Sequence, residues 1–134
     1  MKIIHCADLH LDSKMTSNLS KEQAKERKME ILRTYSRMIE YAKNNEVKAI
    51  IIAGDLFDTR NVSATARNLV KDSITSNPDI DFYYLKGNHD SDNFISKLDE
   101  IPDNLKLFSN QWTSYSYGNI TITGLETVSY THLT

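Results

Sequence analysis

Three short stretches of this chain carry residue types suited to divalent cations. The first is Asp8-Leu9-His10, a carboxylate and an imidazole two positions apart. In an extended segment, side chains at i and i+2 lie on the same side, so both could reach one ion. The second is Gly54-Asp55-Leu56-Phe57-Asp58. Its glycine allows close backbone approach, and the two oxygens of Asp55 can be shared between two ions. The third is Gly87-Asn88-His89-Asp90. Asn88 offers a neutral carbonyl oxygen, and His89 an imidazole able to act as an acid or an electrophile. Taken singly these are weak signals. Asp-x-His is most often a polar loop pair, Gly-Asp a turn, and Gly-Asn-His-Asp a turn with an Asx cap.

Placement changes that balance. Residues 2–7 are short, apolar and β-branched in the middle, and read as a buried strand. Ser20 followed by Gln23 is a capping-box pattern that opens a long helix. Along it Ile31, Tyr35, Met38, Ile39 and Ala42 form one apolar face, and Asn44-Asn45 ends it. Residues 49–53 are apolar without interruption. A strand apolar on both faces suits the centre of a sheet with helices on both sides. Ser63 is an N-cap for a helix to about Thr75, closed by Asn77-Pro78. Residues 82–85 form the third strand. A short helix is expected over 93–98, Pro102 breaks any continuation, and 105–108 are a fourth strand. Residues 112–117 and 120–125 flank Gly118-Asn119, a two-residue hairpin signal. Strands alternating with helices imply an α/β fold with right-handed crossovers and three parallel strands. Each of the three motifs follows one of those strands. Their shared edge, at the strands' C-terminal ends, is where open α/β sheets bind ligands.

Composition bounds the rest. The chain has 134 residues and a formal net charge of -2, which suits one ordinary domain. A free-standing DNA-binding module is usually basic, so this segment is not expected to grip DNA by charge alone. Cys6 is the single cysteine, so no intrachain disulfide forms, and a cytoplasmic location is expected. Met1-Lys2 leads straight into the first strand with no leader pattern, and no apolar run suits a membrane helix. His5 and Cys6 lie inside the first strand and read as packing residues. The tyrosines of the hairpin reflect strand propensity, and residues 21–28 a solvated helix face.

On these residues the sequence resembles the calcineurin-like metallophosphoesterases. Their pattern begins Asp-x-His, Gly-Asp, Gly-Asn-His-Asp or Glu, and stands here as Asp8-His10, Gly54-Asp55 and Gly87-Asn88-His89-Asp90. The strings around Asp8 (His5 to Asp12) and Asp55 (Gly54 to Asp58) look most like the DNA-repair nuclease branch, the SbcD type. Phosphoprotein phosphatases of the superfamily tend to carry Asp-Arg-Gly where this chain has Asp58-Thr59-Arg60-Asn61. The resemblance implies an α/β layered sheet sandwich flanked by helices. It implies two divalent metal ions, often manganese in that branch, with iron or zinc as alternatives. By carry-over Asp8 and His10 would hold the first ion and Asp55 would bridge both. Asn88 would hold the second, and His89 would be the catalytic histidine beside the scissile phosphate. DNA as substrate, an SbcC-type ATPase partner and a homodimer, with no membrane, are implied in the same way. Rival readings are a small-molecule phosphatase or phosphodiesterase, and a non-catalytic partner-binding module. The pattern's later blocks, a lone His and Gly-His-x-His, do not appear, and His132 matches neither. The expectation is therefore a truncated domain, with residues 1–126 as its N-terminal part, 127–134 as a non-native tail, and little activity by itself.

Overall fold

Four strands lie side by side in the order in which the chain makes them. The computed structural model describes residues 1–11, 19–54, 56–57, 63–86, 95 and 98–126. Within it β1 (Lys2–Cys6), β2 (Val47–Ala53), β3 (Asp81–Leu85) and β4 (Leu105–Leu107) form one sheet. Every pairing in that sheet is parallel. A separate antiparallel hairpin contains β5 (Thr113–Tyr117) and β6 (Ile120–Gly124). Helices α1 (Lys21–Asn44) and α2 (Ala64–Thr75) fill the first two crossovers. Cys6 pairs with Ile52 and Ala53 with Leu85, so β1, β2 and β3 end at one edge, as the alternation of elements implies. The expected tail, 127–134, and nearly all of the expected helix over 93–98 lie outside the described residues.

The helix ends follow local chemistry. The Ser20 hydroxyl accepts from the Gln23 N–H at 3.1 Å, and the Gln23 side chain accepts from the Ser20 N–H at 3.0 Å. Two donors with no partner inside the helix are thereby satisfied. At the other end the Asn45 side chain donates to the Tyr41 carbonyl at 2.8 Å. Ser63 accepts from the Ala66 N–H at 3.2 Å and starts α2. The expected apolar face of α1 is the one that packs. Tyr35, Ile39 and Ala42 are buried, and Ile31 and Met38 lie half-buried against the same core.

One expectation fails. The sequence implies helices on both faces of the sheet, and the described helices share one. Alternation along the strands puts Ile50 and Ile52 of β2, Phe82 and Tyr84 of β3 and Leu105 of β4 on a single face. They form one core with Tyr35 and Ile39 of α1 and Ala66, Val70 and Ile74 of α2. Tyr35 also donates to the Ser73 hydroxyl at 2.8 Å, and Ser73 donates onward to the Val70 carbonyl, which joins the helices under the surface.

The opposite face carries Ile3, His5, Ile51 and Tyr83, and here the hairpin does the covering. Tyr83 is fully buried. Its ring packs edge-on against Tyr115 with centroids 5.3 Å apart and stacks on Phe108 at 6.0 Å. The Tyr117 hydroxyl donates to the Asp81 carboxylate and is bonded to the Tyr83 hydroxyl. A hydrophobic sheet face needs only an apolar layer over it, and aromatic rings supply that as well as a helix does. The cover reaches β3 and β4 but thins toward β1, where His5 is exposed and Ile3 remains 39% exposed. His5 is thus not the packing residue its place in a strand implied. The hairpin turns at Gly118, φ 60, with Asn119 outside the positive-φ region. That is the turn in which glycine comes first, and it matches the twist of the flanking strands.

Asn104 ties the far edge together. It is buried, and its side-chain amide lies 2.9 Å from the Ile74 carbonyl, 3.0 Å from that of Asn77 and 2.9 Å from that of Ile80. Its own backbone carbonyl accepts from the Phe82 N–H at 2.7 Å. One side chain therefore joins the end of α2, the start of β3 and the start of β4. Asn104→Ala should orphan buried carbonyls and lower stability by about 2–3 kcal/mol. Urea unfolding followed by circular dichroism measures this. A loss below about 0.5 kcal/mol would mean that water satisfies those carbonyls and that the clamp matters little.

Candidate metal centre

β1 and β2 do not simply stop at their last paired residues. After Cys6↔Ile52 the two chains separate, and they meet again as an isolated parallel bridge between Leu11 and Phe57. The register on return is the same, so four residues separate the two pairings in each segment. The loops are tied to each other. The Asp8 N–H points at the Gly54 carbonyl at a long 3.4 Å, and the Leu11 N–H donates to the Leu56 carbonyl at 2.8 Å. Leu11, Leu56 and Phe57 are all buried, so apolar packing anchors the far side of both loops.

Asp8 and His10 come together, but not by the expected route. Side chains two apart in an extended segment would share a side; this segment is not extended. Asp8 has φ 56 and His10 φ 47, both in the left-handed region. Aspartate and histidine are among the few side chains that tolerate it, and at a cost. Such strain persists only where the surroundings enforce it, and it gathers at functional sites. Here the bonds to Gly54 and Leu56 and the buried Leu11 enforce it. Gly54 itself sits at φ 83, a conformation that explains its glycine.

The result is an Asp8 carboxylate oxygen 4.0 Å from His10 Nε2, too far for a hydrogen bond. The Asp8 side chain is 71% exposed and that of His10 35% exposed, so both face solvent at the sheet edge. Two ligands of one ion, each bound at about 2.1 Å, stand roughly 3 Å apart. Closing the gap takes about 1 Å, within reach of a side-chain rotation. An oxygen and an imidazole nitrogen suit manganese, iron or zinc. The pair therefore fits a divalent ion. Among the described residues no third His, Cys, Asp or Glu joins them. Asp55, Asn88 and His89 lie outside the described residues. Both sequence neighbours of Asp55, however, are bonded to the Asp8–Leu11 segment. β3, which leads into Gly87-Asn88-His89, ends at the same edge.

Neighbouring groups narrow the chemistry. Burial pushes the Cys6 thiol up to about 11, and its Sγ donates to the Ile51 carbonyl at 3.5 Å. A protonated, inward-bonded thiol is a packing residue, as its position in the strand implies. A cavity of about 660 Å³ opens at the opposite edge, beside Lys2, Lys43, Glu46 and Asp79. Both helices end there, and carbonyl-rich helix ends attract lysines without any ligand. Size alone does not make it the site. Sequence reasoning overlooked Leu11 and Phe57, which fix the loops. The signal was visible in the apolar residues that follow each motif, Leu9 and Leu11 after the first, Leu56 and Phe57 after the second.

Comparison with known proteins identifies the family. The family profile described as calcineurin-like phosphoesterase matches residues 1–132. A Bacillus subtilis protein named uncharacterized metallophosphoesterase YhaO is 33% identical over 114 residues, 82% of this chain and 28% of its own length. The SbcD component of the Escherichia coli nuclease SbcCD is 32% identical over 121 residues, 89% of this chain and 28% of its own. The DNA double-strand break repair protein Mre11 of Sulfurisphaera tokodaii is 29% identical over 134 residues, 95% of this chain and 33% of its own. The chain thus spans about a third or less of the length of these relatives. A match over nearly every residue makes this chain a member of the calcineurin-like phosphoesterase family.

Proposed function

We propose that this chain carries the first metal-binding loops of a two-metal phosphodiesterase that cleaves DNA. The observation that carries the reading is the tie between the Asp8–Leu11 segment and both neighbours of Asp55. It sets a carboxylate and an imidazole beside the position of a second carboxylate. Relatives named as nucleases and as a DNA repair protein support DNA as the substrate. An SbcC-type ATPase partner, a homodimer and a cytoplasmic location belong to the same proposal. No helix among the described residues is long and apolar enough to cross a membrane.

The residues divide the labour. Asp8 and His10 would hold the first ion, manganese by preference. Asp55 would serve both ions, and Asn88 the second. Such ions would supply an activated water and charge stabilisation at the phosphate. His89 stands free of the ions and donates a proton to the leaving oxygen.

Two measurements separate these roles. Asp55→Ala should lose bound manganese and, with it, hydrolysis of a linear duplex. His89→Ala should keep its metal and lose about 10²–10⁴-fold in turnover. Metal analysis beside the nuclease assay reads both, and equal metal loss in the two variants would contradict the division. Within these 134 residues the first ion has Asp8, His10 and Asp55 assigned to it, the second only Asp55 and Asn88. Calorimetric titration of the chain with manganese should therefore find one firm site, with negligible cleavage. Robust cleavage by the chain by itself would show that Asp8, His10, Asp55 and Asn88 suffice as ligands, and would overturn the assignment.

A further inference from the structure

Trp112 is the sole tryptophan and, at 72%, the most exposed of the large apolar side chains among the described residues. Single exposed apolar residues are ordinary. Two features set this one apart. The first is how firmly it is presented. The Glu126 N–H donates to the Ser109 carbonyl at 2.8 Å, and the Gln111 N–H to the Ser109 hydroxyl at 3.2 Å. The Thr113 hydroxyl donates to the Gln111 carbonyl at 3.2 Å. Below this turn the Phe108 ring lies against Gly124, where a Cβ would come within 2.5 Å of it. Trp112 is thus mounted on a bonded turn and has not buried its ring.

The second feature is where the turn stands. Tyr117 reaches Asp81, the first residue of β3, whereas the Tyr115 hydroxyl donates to Leu107, the last residue of β4. β5 therefore runs against β3, and residues 112 and 113 lie toward the edge where β3 and β4 end. That is the edge of Asp8, His10 and Gly54. Three strand spacings separate β1 from β4, roughly 14 Å.

We propose that Trp112 is a base-stacking contact for a DNA strand that lies along this edge. The inference rests on the phosphodiesterase reading for its substrate. It also meets a need of that reading. With a net charge of -2 these residues gain little from neutralising phosphates, and a contact to the bases adds what their charge does not. Stacking on an indole supplies it, and every base has a face to offer.

The sole tryptophan makes its own probe. The chain is first loaded with manganese, whose own effect on tryptophan fluorescence is the baseline, and is then titrated with a short oligothymidylate and with an abasic strand of equal length. The thymidylate should quench that fluorescence and the abasic strand should not, with little dependence on salt. By anisotropy of a labelled strand, Trp112→Ala should bind about 10-fold more weakly, and Trp112→Phe should recover part of the loss. Equal behaviour of the two strands, unchanged affinity in Trp112→Ala, or no quenching at saturating strand would overturn the proposal. The last result would mean that another protein surface, not a base, uses this ring. Quenching by thymidylate in a chain whose calorimetric titration finds no firm manganese site would sink the functional reading and leave the stacking contact standing.

Discussion

The bond from the Leu11 N–H to the Leu56 carbonyl closes the device on which the site depends. Without it, residues 7–10 and 53–56 would be two independent loops leaving neighbouring strands. With it, and with Leu11 and Phe57 buried against the core, the chain must return to the register it left at Cys6↔Ile52. The left-handed turns at Asp8 and His10 lie between those two pairings. Strain at these two residues is thus framed by sheet pairing on both sides of them. It is sustained by apolar burial, not by the polar groups themselves.

That arrangement needs a stiff sheet, and the two faces supply stiffness by different means. On one, α1 and α2 meet over Ile50, Ile52, Phe82 and Tyr84, joined by Tyr35 and Ser73. On the other, the hairpin presses Tyr115 and Tyr117 around the buried Tyr83. Asn104 fastens the edge opposite the metal loops. Rigidity is therefore concentrated around β3 and around the helix ends. The carboxyl edge is left with side chains that face water, as Asp8 and His10 do. The proposed function needs a reachable site, and this edge is reachable.

The parts that were legible in the sequence are those decided locally. The capping box of Ser20 and Gln23, the face of α1 through Tyr35 and Ile39, and the turn at Gly118 depend on residues a few positions apart. Parallel order followed from alternating elements, because a short helical crossover permits little else. What was not legible depends on partners far away in the chain. Residues 49–53 are apolar on both sides, but nothing in them tells whether a helix or a tyrosine hairpin covers the second face. The left-handed backbone at Asp8 and His10 follows from pairing with residues some forty-five positions on. Asn104 reads as a loop residue until the carbonyls of Ile74, Asn77 and Ile80 are found around it. At the site, spacing brought out which residues matter, whereas the backbone route that joins them had to be seen.

Charge sets a last condition on the proposed chemistry. The three loop regions carry Asp8, Asp12, Asp55, Asp58, Asp90 and Asp92 against Lys14, Arg60 and Lys86. An edge with that excess of carboxylates repels a phosphate backbone, and a chain of net charge -2 offers no long-range attraction to offset it. Bound divalent cations are the largest local charges in any site that contains them and reverse its sign. The same carboxylates that make the bare edge hostile to DNA are therefore what makes the loaded edge receptive. Metal affinity and substrate affinity become linked through one set of side chains. Ligands held in place beforehand by the Leu11–Leu56 tie bind an ion at lower cost than ligands on free loops. In the proposed chemistry the sheet pairing beyond the strand ends would therefore act on substrate binding as well as on metal binding, although neither leucine is assigned to ion or phosphate.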